Sequence, residues 1–287
     1  MSDTAARTRR RIKYAVYLAS GERGTALKAG TKESACIMTV AFNKPLLIEW
    51  QWKLIAKNVI DKIDYLVIDN STSKGAQESI GSFCASKGIL YRRAPYFSEG
   101  ALEPSLSHGW ALNWGLRHLP CKYKKIAIID HDIFPYIRTS ISEKLKGSAY
   151  YGLYQYRGNR WYLWPGFTFL DLEKIDPREL DFRPGDGLDT GGGNWKKVFS
   201  KLYGQEQVPP PKHRYVHVDE LELVEVSRWG EIRAPDFVKE SKETLLKSNV
   251  LAEFVDDWIH VFNGSDWRGP AEKRTSLEHI LKKIWRA

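Results

Sequence analysis

The feature that most constrains this chain is a repeated alternation of short apolar runs and helical patterns between Ser34 and Asp130. The runs are ACIMTVAF from Ala35, IDYLVIDN from Ile63, ILYRRA from Ile89 and YKKIAIID from Tyr123. Each is short and almost continuously apolar, the signature of a strand buried on both faces. In NKPLLIEWQWKLIAKNVI, residues Leu47, Trp50 and Leu54 recur at helical spacing. Pro45 suits its first turn, and Asn43 is a candidate cap. SKGAQESIGSFCASKG reads as a helix closed by Gly88, and EPSLSHGWALNWGLRHL as a helix or loop–helix. Four such alternations predict an α/β fold with a mostly parallel central sheet and helices on both faces.

After Asp132 the texture changes. SAYYGLYQYRGNRWYLWPGFTFLDL is aromatic and strand-like, with Gly158-Asn159 marking a hairpin turn. GLDTGGGNWKKVFSKLYG is a glycine-rich turn entering a helix, QVPPPKH a loop, and RYVHVDELELVEV an alternating strand. WIHVFNGSDWRG reads as a strand and loop, and AEKRTSLEHILKKIW as a terminal helix. No internal repeat and no domain-separating linker interrupts the pattern. Residues 34–287 are therefore expected to form one domain with a β-rich C-terminal half, preceded by a basic arm over residues 1–33.

The charge belongs mostly to that arm. Of a formal +9, residues 1–32 carry a net +6, from Arg7, Arg9, Arg10, Arg11, Lys13, Arg23, Lys28 and Lys32 against Asp3 and Glu22. The arm is expected to be a solvated tail or to touch an anionic surface. Within it IKYAVYLA alternates like a strand, with Ile12, Tyr14, Val16 and Leu18 on one face. Eleven Trp and fourteen Tyr can pack a core or offer flat apolar faces to sugars and bases. The three cysteines, Cys36, Cys84 and Cys121, are too far apart for a zinc or disulfide framework, so a reducing, cytoplasmic setting is expected. No apolar run approaches the roughly 20 residues of a membrane span, and the start lacks the apolar region of a secretory signal.

In open α/β sheets ligands bind at the carboxyl ends of the strands. LVIDNSTS and IAIIDHD end alike, which places Asp69, Asn70, Asp130 and Asp132 on one rim. Asp130 and Asp132 are two apart, so on an extended segment they would face the same side. Like charges so close repel unless a cation lies between them, and carboxylate oxygens suit Mg2+ or Mn2+. Such a cation would in turn hold a diphosphate.

These residues carry a resemblance. CIMTVAFNKP, LVIDNSTSKG, SLSHGWALNWGL and DHD, in that order, resemble the motifs of GT-A fold glycosyltransferases of the large family-2 type, DHD standing for the D-x-D motif. The resemblance covers about residues 34–270. It implies a nucleotide-binding half over about 34–135 and an acceptor-binding half over about 136–287. It implies that a hexosyl or pentosyl unit moves from a nucleotide-sugar, UDP- or GDP-linked, to a hydroxyl of a glycan or glycoconjugate with inversion, assisted by Mn2+ or Mg2+. By position, Thr39, Ala41 and Phe42 would line the nucleoside pocket, Asp69 would bond the base, and Asn70 and Ser71 would lie beside it. Ser107, His108 and Asn113 would approach the ribose or phosphates. Asp130 would reach the ribose or metal, Asp132 would bind the metal, and His131 would stand on the rim between them. His260 would complete the metal shell, with Gly264, Ser265 and Arg268 near the phosphates. Asp189 is the candidate base at a helix start, with Thr190 and Gly191 beside it and Asp186 as the second choice. Trp164, with Gly166, and Trp161 would stack on sugar rings.

Rival readings exist. IIDHDIF also resembles the first motif of haloacid-dehalogenase-type phosphatases, in which Asp130 would be the nucleophile and Asp132 the acid/base. That motif normally lies on the first strand of its sheet, and here three strands precede it. A nucleotide-sugar-binding protein without catalysis is a further alternative. A nucleic-acid-binding protein is disfavoured, because the charge sits in the arm and no binding motif is present.

Overall fold

The computed structural model describes residues 3–21, 34–95, 103–119, 123–202, 211–216, 223–225, 252–261, 281–282 and 285–286. In chain order the elements are α1 (Asp3–Ala19), β1 (Ala35–Ala41), α2 (Pro45–Asn58), β2 (Ile63–Asp69), α3 (Lys74–Lys87), β3 (Leu90–Arg93), α4 (Pro104–Arg117) and β4 (Lys125–Ile129). There follow β5 (Ile133–Pro135), α5 (Ile141–Lys144), β6 (Tyr150–Arg157), β7 (Arg160–Asp171), α6 (Asn194–Lys197) and a 3-10 turn (Phe199–Lys201). The last strands are β8 (His213–Val216), β9 (Leu223–Glu225), β10 (Ala252–Val255) and β11 (Trp258–Val261).

The expected alternation builds one six-stranded sheet in the order β3-β2-β1-β4-β7-β6. The first four strands are parallel, and β7 and β6 extend the sheet antiparallel. Their apolar continuity has the predicted cause. On β1, Cys36, Met38 and Val40 enter one core, which holds α4, while Ile37 and Ala41 enter the other, which holds α2 and α3. Gly115 lets α4 settle directly on the sheet, since a Cβ there would lie 2.8 Å from Ile68. A second sheet, β5-β11-β10-β8-β9, is wholly antiparallel and forms the β-rich half.

Several local expectations hold. Pro45 opens α2 and Gly88 closes α3 at φ 67°. Gly158 turns the β6–β7 hairpin at φ 61°. Others are corrected. Asn43 does not cap α2. It lies at φ 54°, and its Oδ1 accepts the N–H groups of Thr72 and Ser73 at 3.0 and 2.9 Å, tying the end of β1 to the turn after β2. Residues 214–226 are not one strand; β8 and β9 pair antiparallel within that stretch. At the C-terminus Leu281, Lys282, Trp285 and Arg286 are helical, and the rest of the expected helix lies outside the described residues.

IKYAVYLA is helical, not a strand. Tyr14 and Tyr17 lie one turn apart and pack on the Trp110 ring of α4, with centroids 5.0 and 5.1 Å away. The indole N–H of Trp114 donates to the Ser20 carbonyl at 2.9 Å, and Arg10 pairs with Glu103 at 2.6 Å. The apparent alternation arose because Ile12 and Val16 are four residues apart, which also places them on one helix face. That face is exposed, at 60% and 61%. No helix among the described residues is long and apolar enough to cross a membrane.

Candidate active site

Because β2, β1 and β4 run parallel side by side, their carboxyl ends share one rim. Asp130, His131 and Asp132 lie on it, but not as an extended segment. The Ile133 N–H donates to the Asp130 carbonyl at 3.1 Å, so His131 and Asp132 form the centre of a tight turn. The turn is imposed from both sides. Before it, the Asp130 N–H donates to the Gly166 carbonyl at 3.0 Å, extending the β4–β7 ladder. After it, β5 leaves for the second sheet and pairs with β11, placing His260 opposite Ile133. Gln51 of α2 holds the turn from behind. Its amide donates to the carbonyls of Asp130 and Ile133 at 2.8 and 2.7 Å, and its oxygen accepts the Tyr65 hydroxyl at 2.7 Å.

The two side chains at the centre of the turn have different tasks. His131 is buried, and its Nδ1 accepts the Phe42 N–H at 3.2 Å, so it latches the turn to the end of β1. Burial holds its pKa below the ordinary value, consistent with a neutral ring accepting at Nδ1. Asp132 is buried and faces His260, whose Nε2 lies 3.6 Å from its Oδ1. The other ring nitrogen of His260 contacts Glu253 at 2.5 Å. Burial draws His260 down, but the carboxylates of Asp132 and Glu253 outweigh it and push the imidazole up to about 10. Asp130 meets His108 of α4 at 3.3 Å. Burial raises its carboxyl above the ordinary range, His108 opposes the rise and Asp132 adds to it.

Trp164 forms a wall beside this group. Its indole lies 5.0 Å from the His260 ring at 45° and covers Gly166, where a Cβ would sit 2.3 Å from the indole. Trp161, by contrast, is part of the core. It stacks on Phe199 at 5.1 Å and meets Tyr150, Tyr154 and Trp195, which removes it from the sugar-stacking candidates.

The neighbouring strand ends are tightly organised. Thr39 and Ala41 are fully buried in β1, and the Ala41 carbonyl accepts the Asn70 N–H. Asp69 is buried; its oxygens accept the Ser71 N–H at 2.9 Å and the Tyr91 hydroxyl at 2.7 Å. Ser71 accepts the Asn43 N–H at 2.8 Å, and the Asn70 amide donates to Ser107 at 3.0 Å. The first turns of α4 thus join both strand ends, through Ser107 to Asn70 and through His108 to Asp130.

The glycine-rich segment docks on the same helix. Thr190 donates to the Ser105 carbonyl at 3.0 Å. Asp189 is exposed and accepts the Thr190 N–H at 2.7 Å. It does not start a helix: α6 begins at Asn194, five residues later. Asp186 adopts φ 55°, and Lys196 holds its carboxylate at 2.8 Å. Gly191, at φ 95°, leaves only 3.1 Å from a would-be Cβ to Tyr162. Asn113 is not at the rim. It donates to Tyr14 and Asp181 and accepts the Phe182 N–H at 2.8 Å, so it anchors the backbone leading into this segment. Gly264, Ser265 and Arg268 lie outside the described residues.

Sequence reasoning missed Gln51, Glu253 and Gly109. Gln51 was visible as a polar residue inside an apolar helical run, and Glu253 as a carboxylate in an apolar strand. Gly109 had no such signal; a Cβ there would meet the Phe182 carbonyl at 2.4 Å.

Two carboxylates and an imidazole are a donor set suited to Mn2+ or Mg2+. Only Asp132 and His260 are brought face to face, and among the described residues no group of three or more His, Cys, Asp or Glu side chains is gathered as a metal site. No family model and no curated protein sequence matches the chain. Solved structures similar to it include a mannosyltransferase from Pyrobaculum calidifontis in complex with GDP-Man and Mn2+. That structure is 13% identical, covers 96% of this chain and 76% of its own, and has a TM-score of 0.43. The galactosyltransferase LgtC with donor and acceptor sugar analogues is 14% identical over 61% of this chain and 80% of its own, with a TM-score of 0.39. Glucosyl-3-phosphoglycerate synthase from Mycobacterium tuberculosis with phosphoglyceric acid is 18% identical over 55% and 62%, with a TM-score of 0.35.

Proposed function

We propose that the protein is a GT-A type glycosyltransferase that moves a sugar from a nucleotide-sugar, UDP- or GDP-linked, to a hydroxyl of a glycan or glycoconjugate. The observation that carries this reading is the meeting of Asp132, His260 and Trp164 at the carboxyl rim of a parallel sheet. A carboxylate and an imidazole able to ligate a cation, beside a flat apolar wall, suit a sugar linked to a diphosphate. Asp132 and His260, with Asp130 beside them, would hold Mn2+ or Mg2+, which supplies positive charge to the departing nucleoside diphosphate.

The other roles belong to the chain. Thr39, Ala41 and Phe42 at the end of β1, with Asp69, Asn70 and Ser71 after β2, would frame the nucleoside. Ser107 and His108 would face the phosphates or ribose. Gly264, Ser265 and Arg268 are assigned to the phosphate side by position in the sequence alone. Trp164 would cover the apolar face of a sugar ring and exclude water. Asp189 is exposed and would take the proton of the acceptor hydroxyl, giving inversion at the anomeric carbon. Asp186 is less suited, because Lys196 already holds its carboxylate.

Thermal shifts with UDP-, GDP-, CDP- and dTDP-sugars, with and without Mn2+, test the reading. Stabilisation by one donor class that needs the cation is expected. Binding without any sugar release would leave a nucleotide-sugar-binding protein. The anomeric configuration of the product, read by NMR, tests inversion separately.

A further inference from the structure

We infer that Glu253 is a positioning residue that holds the Nδ1–H of His260 and so leaves Nε2, on the Asp132 side, as the nitrogen that would ligate a cation. The inference rests on the reading of Asp132 and His260 as a cation site. Glu253 lies on β10 within the apolar run AEFV and is 3% exposed. A carboxylate so buried is costly unless a partner compensates it. The β10–β11 register sets Glu253 directly opposite His260, with Oε1 2.5 Å from Nδ1. An ionised carboxylate only accepts hydrogen bonds, so Nδ1 carries the proton. Nε2, on the other edge of the ring, is the nitrogen 3.6 Å from Asp132 Oδ1.

The ring is held on further sides. Trp164 lies against it, and the Val261 N–H donates to the Asp132 carbonyl at 3.1 Å, fixing the two strands that bring imidazole and carboxylate together. A carboxylate on one nitrogen of a ligating histidine fixes its tautomer and orientation and raises its basicity as a ligand. A purely structural Glu253–His260 pair would stabilise the fold without altering how the chain holds a cation.

The test is a double-mutant cycle of Mn2+ affinity in the absence of donor, measured by the EPR signal of free Mn2+. Glu253→Gln keeps the side-chain volume but can donate to Nδ1 as well as accept, so it no longer dictates the tautomer. It is expected to weaken Mn2+ binding by about 10- to 100-fold, and to have no further effect in a His260→Ala background. Unchanged affinity in Glu253→Gln, where His260→Ala does weaken binding, overturns the inference and leaves the cation site standing. Equal losses from Glu253→Gln with and without His260 also overturn it, because Glu253 would then act by another route. Unchanged affinity in His260→Ala removes the cation reading and the inference with it. If Glu253→Gln does not fold, 15N NMR of the wild-type imidazole with Mg2+ decides. A proton on Nδ1 supports the inference, and one on Nε2 overturns it.

Discussion

The Nδ1 of His131 accepts the backbone N–H of Phe42 at 3.2 Å, joining the turn that carries Asp130 and Asp132 to the end of the adjacent strand. The histidine between the two aspartates is thus buried and tied to the end of β1. Leu at this position would remove the acceptor of the half-buried Phe42 N–H. Urea unfolding of His131→Leu is expected to show a loss of about 1–3 kcal/mol. His131→Asn, which keeps an acceptor, is expected to lose less.

Gly166 and Trp164 make a second linked pair. Any side chain at 166 must displace the indole, whose Cζ2 would lie 2.3 Å from the new Cβ. Gly166→Ala is therefore expected to cost about 1–3 kcal/mol. It should also lower turnover by about 10- to 100-fold, because the wall beside His260 moves out of place. Trp164→Ala is expected to raise KM more than it changes the melting temperature. Steady-state kinetics beside a thermal melt separates the two: a ring that only packs would move the melt alone.

At Gly109 the obstacle is backbone, and backbone yields little. Gly109→Ala is expected to destabilise by about 1–3 kcal/mol and to reduce activity, since α4 carries the contacts to Asn70, Asp130 and Thr190. Gly75 is the control. A Cβ there meets nothing within 4 Å, so Gly75→Ala is expected to be neutral or to stabilise by up to about 1 kcal/mol. Chemical denaturation of both variants checks the contrast.

Asp181 anchors the segment that leads to Asp189. It accepts from Asn113, Arg183 and Lys197, and Arg183 lies 4.0 Å over the Tyr14 ring. Burial alone would raise its carboxyl, but the hydrogen bonds and charges of Arg183 and Lys197 win and hold it well below the ordinary range. The unfolded chain therefore binds a proton before the folded one does. The stability Asp181 contributes is fully present above the ordinary carboxylate value, near 3.9. It is lost as pH falls from there through the depressed folded value. Asp181→Asn is expected to cost about 3 kcal/mol at neutral pH. The gap to wild type should persist to about pH 4 and shrink only below it, as urea midpoints across pH will show.

The parallel strands and the rim were legible because buried parallel strands leave an unmistakable apolar run, and because Asp69 and Asp130 end two of them. The turn through Asp130, His131 and Asp132 was not legible as shape, since the two aspartates were expected on an extended segment. Its geometry depends on β5 crossing to β11, about 125 residues later in the chain, and nothing local encodes that pairing. α1 was misread for a related reason: IKYAVYLA fits either period, and only the Trp110 ring on α4 selects the helix. Asn113 was read by its place in a motif, whereas Asp181 and Phe182, which it binds, lie far along the sequence. Trp161 and Trp164 look alike in the chain; the position of Phe199 draws one into the core, and Gly166 makes room for the other beside His260.

The most direct test of the central claim is sugar release from nucleotide-sugars by wild type and Asp132→Ala, with Mn2+ and with EDTA. The account predicts cation-dependent release of one nucleoside diphosphate by the wild type, lost on chelation and in Asp132→Ala while the variant stays folded. Activity undiminished in Asp132→Ala, or unaffected by EDTA, would contradict it.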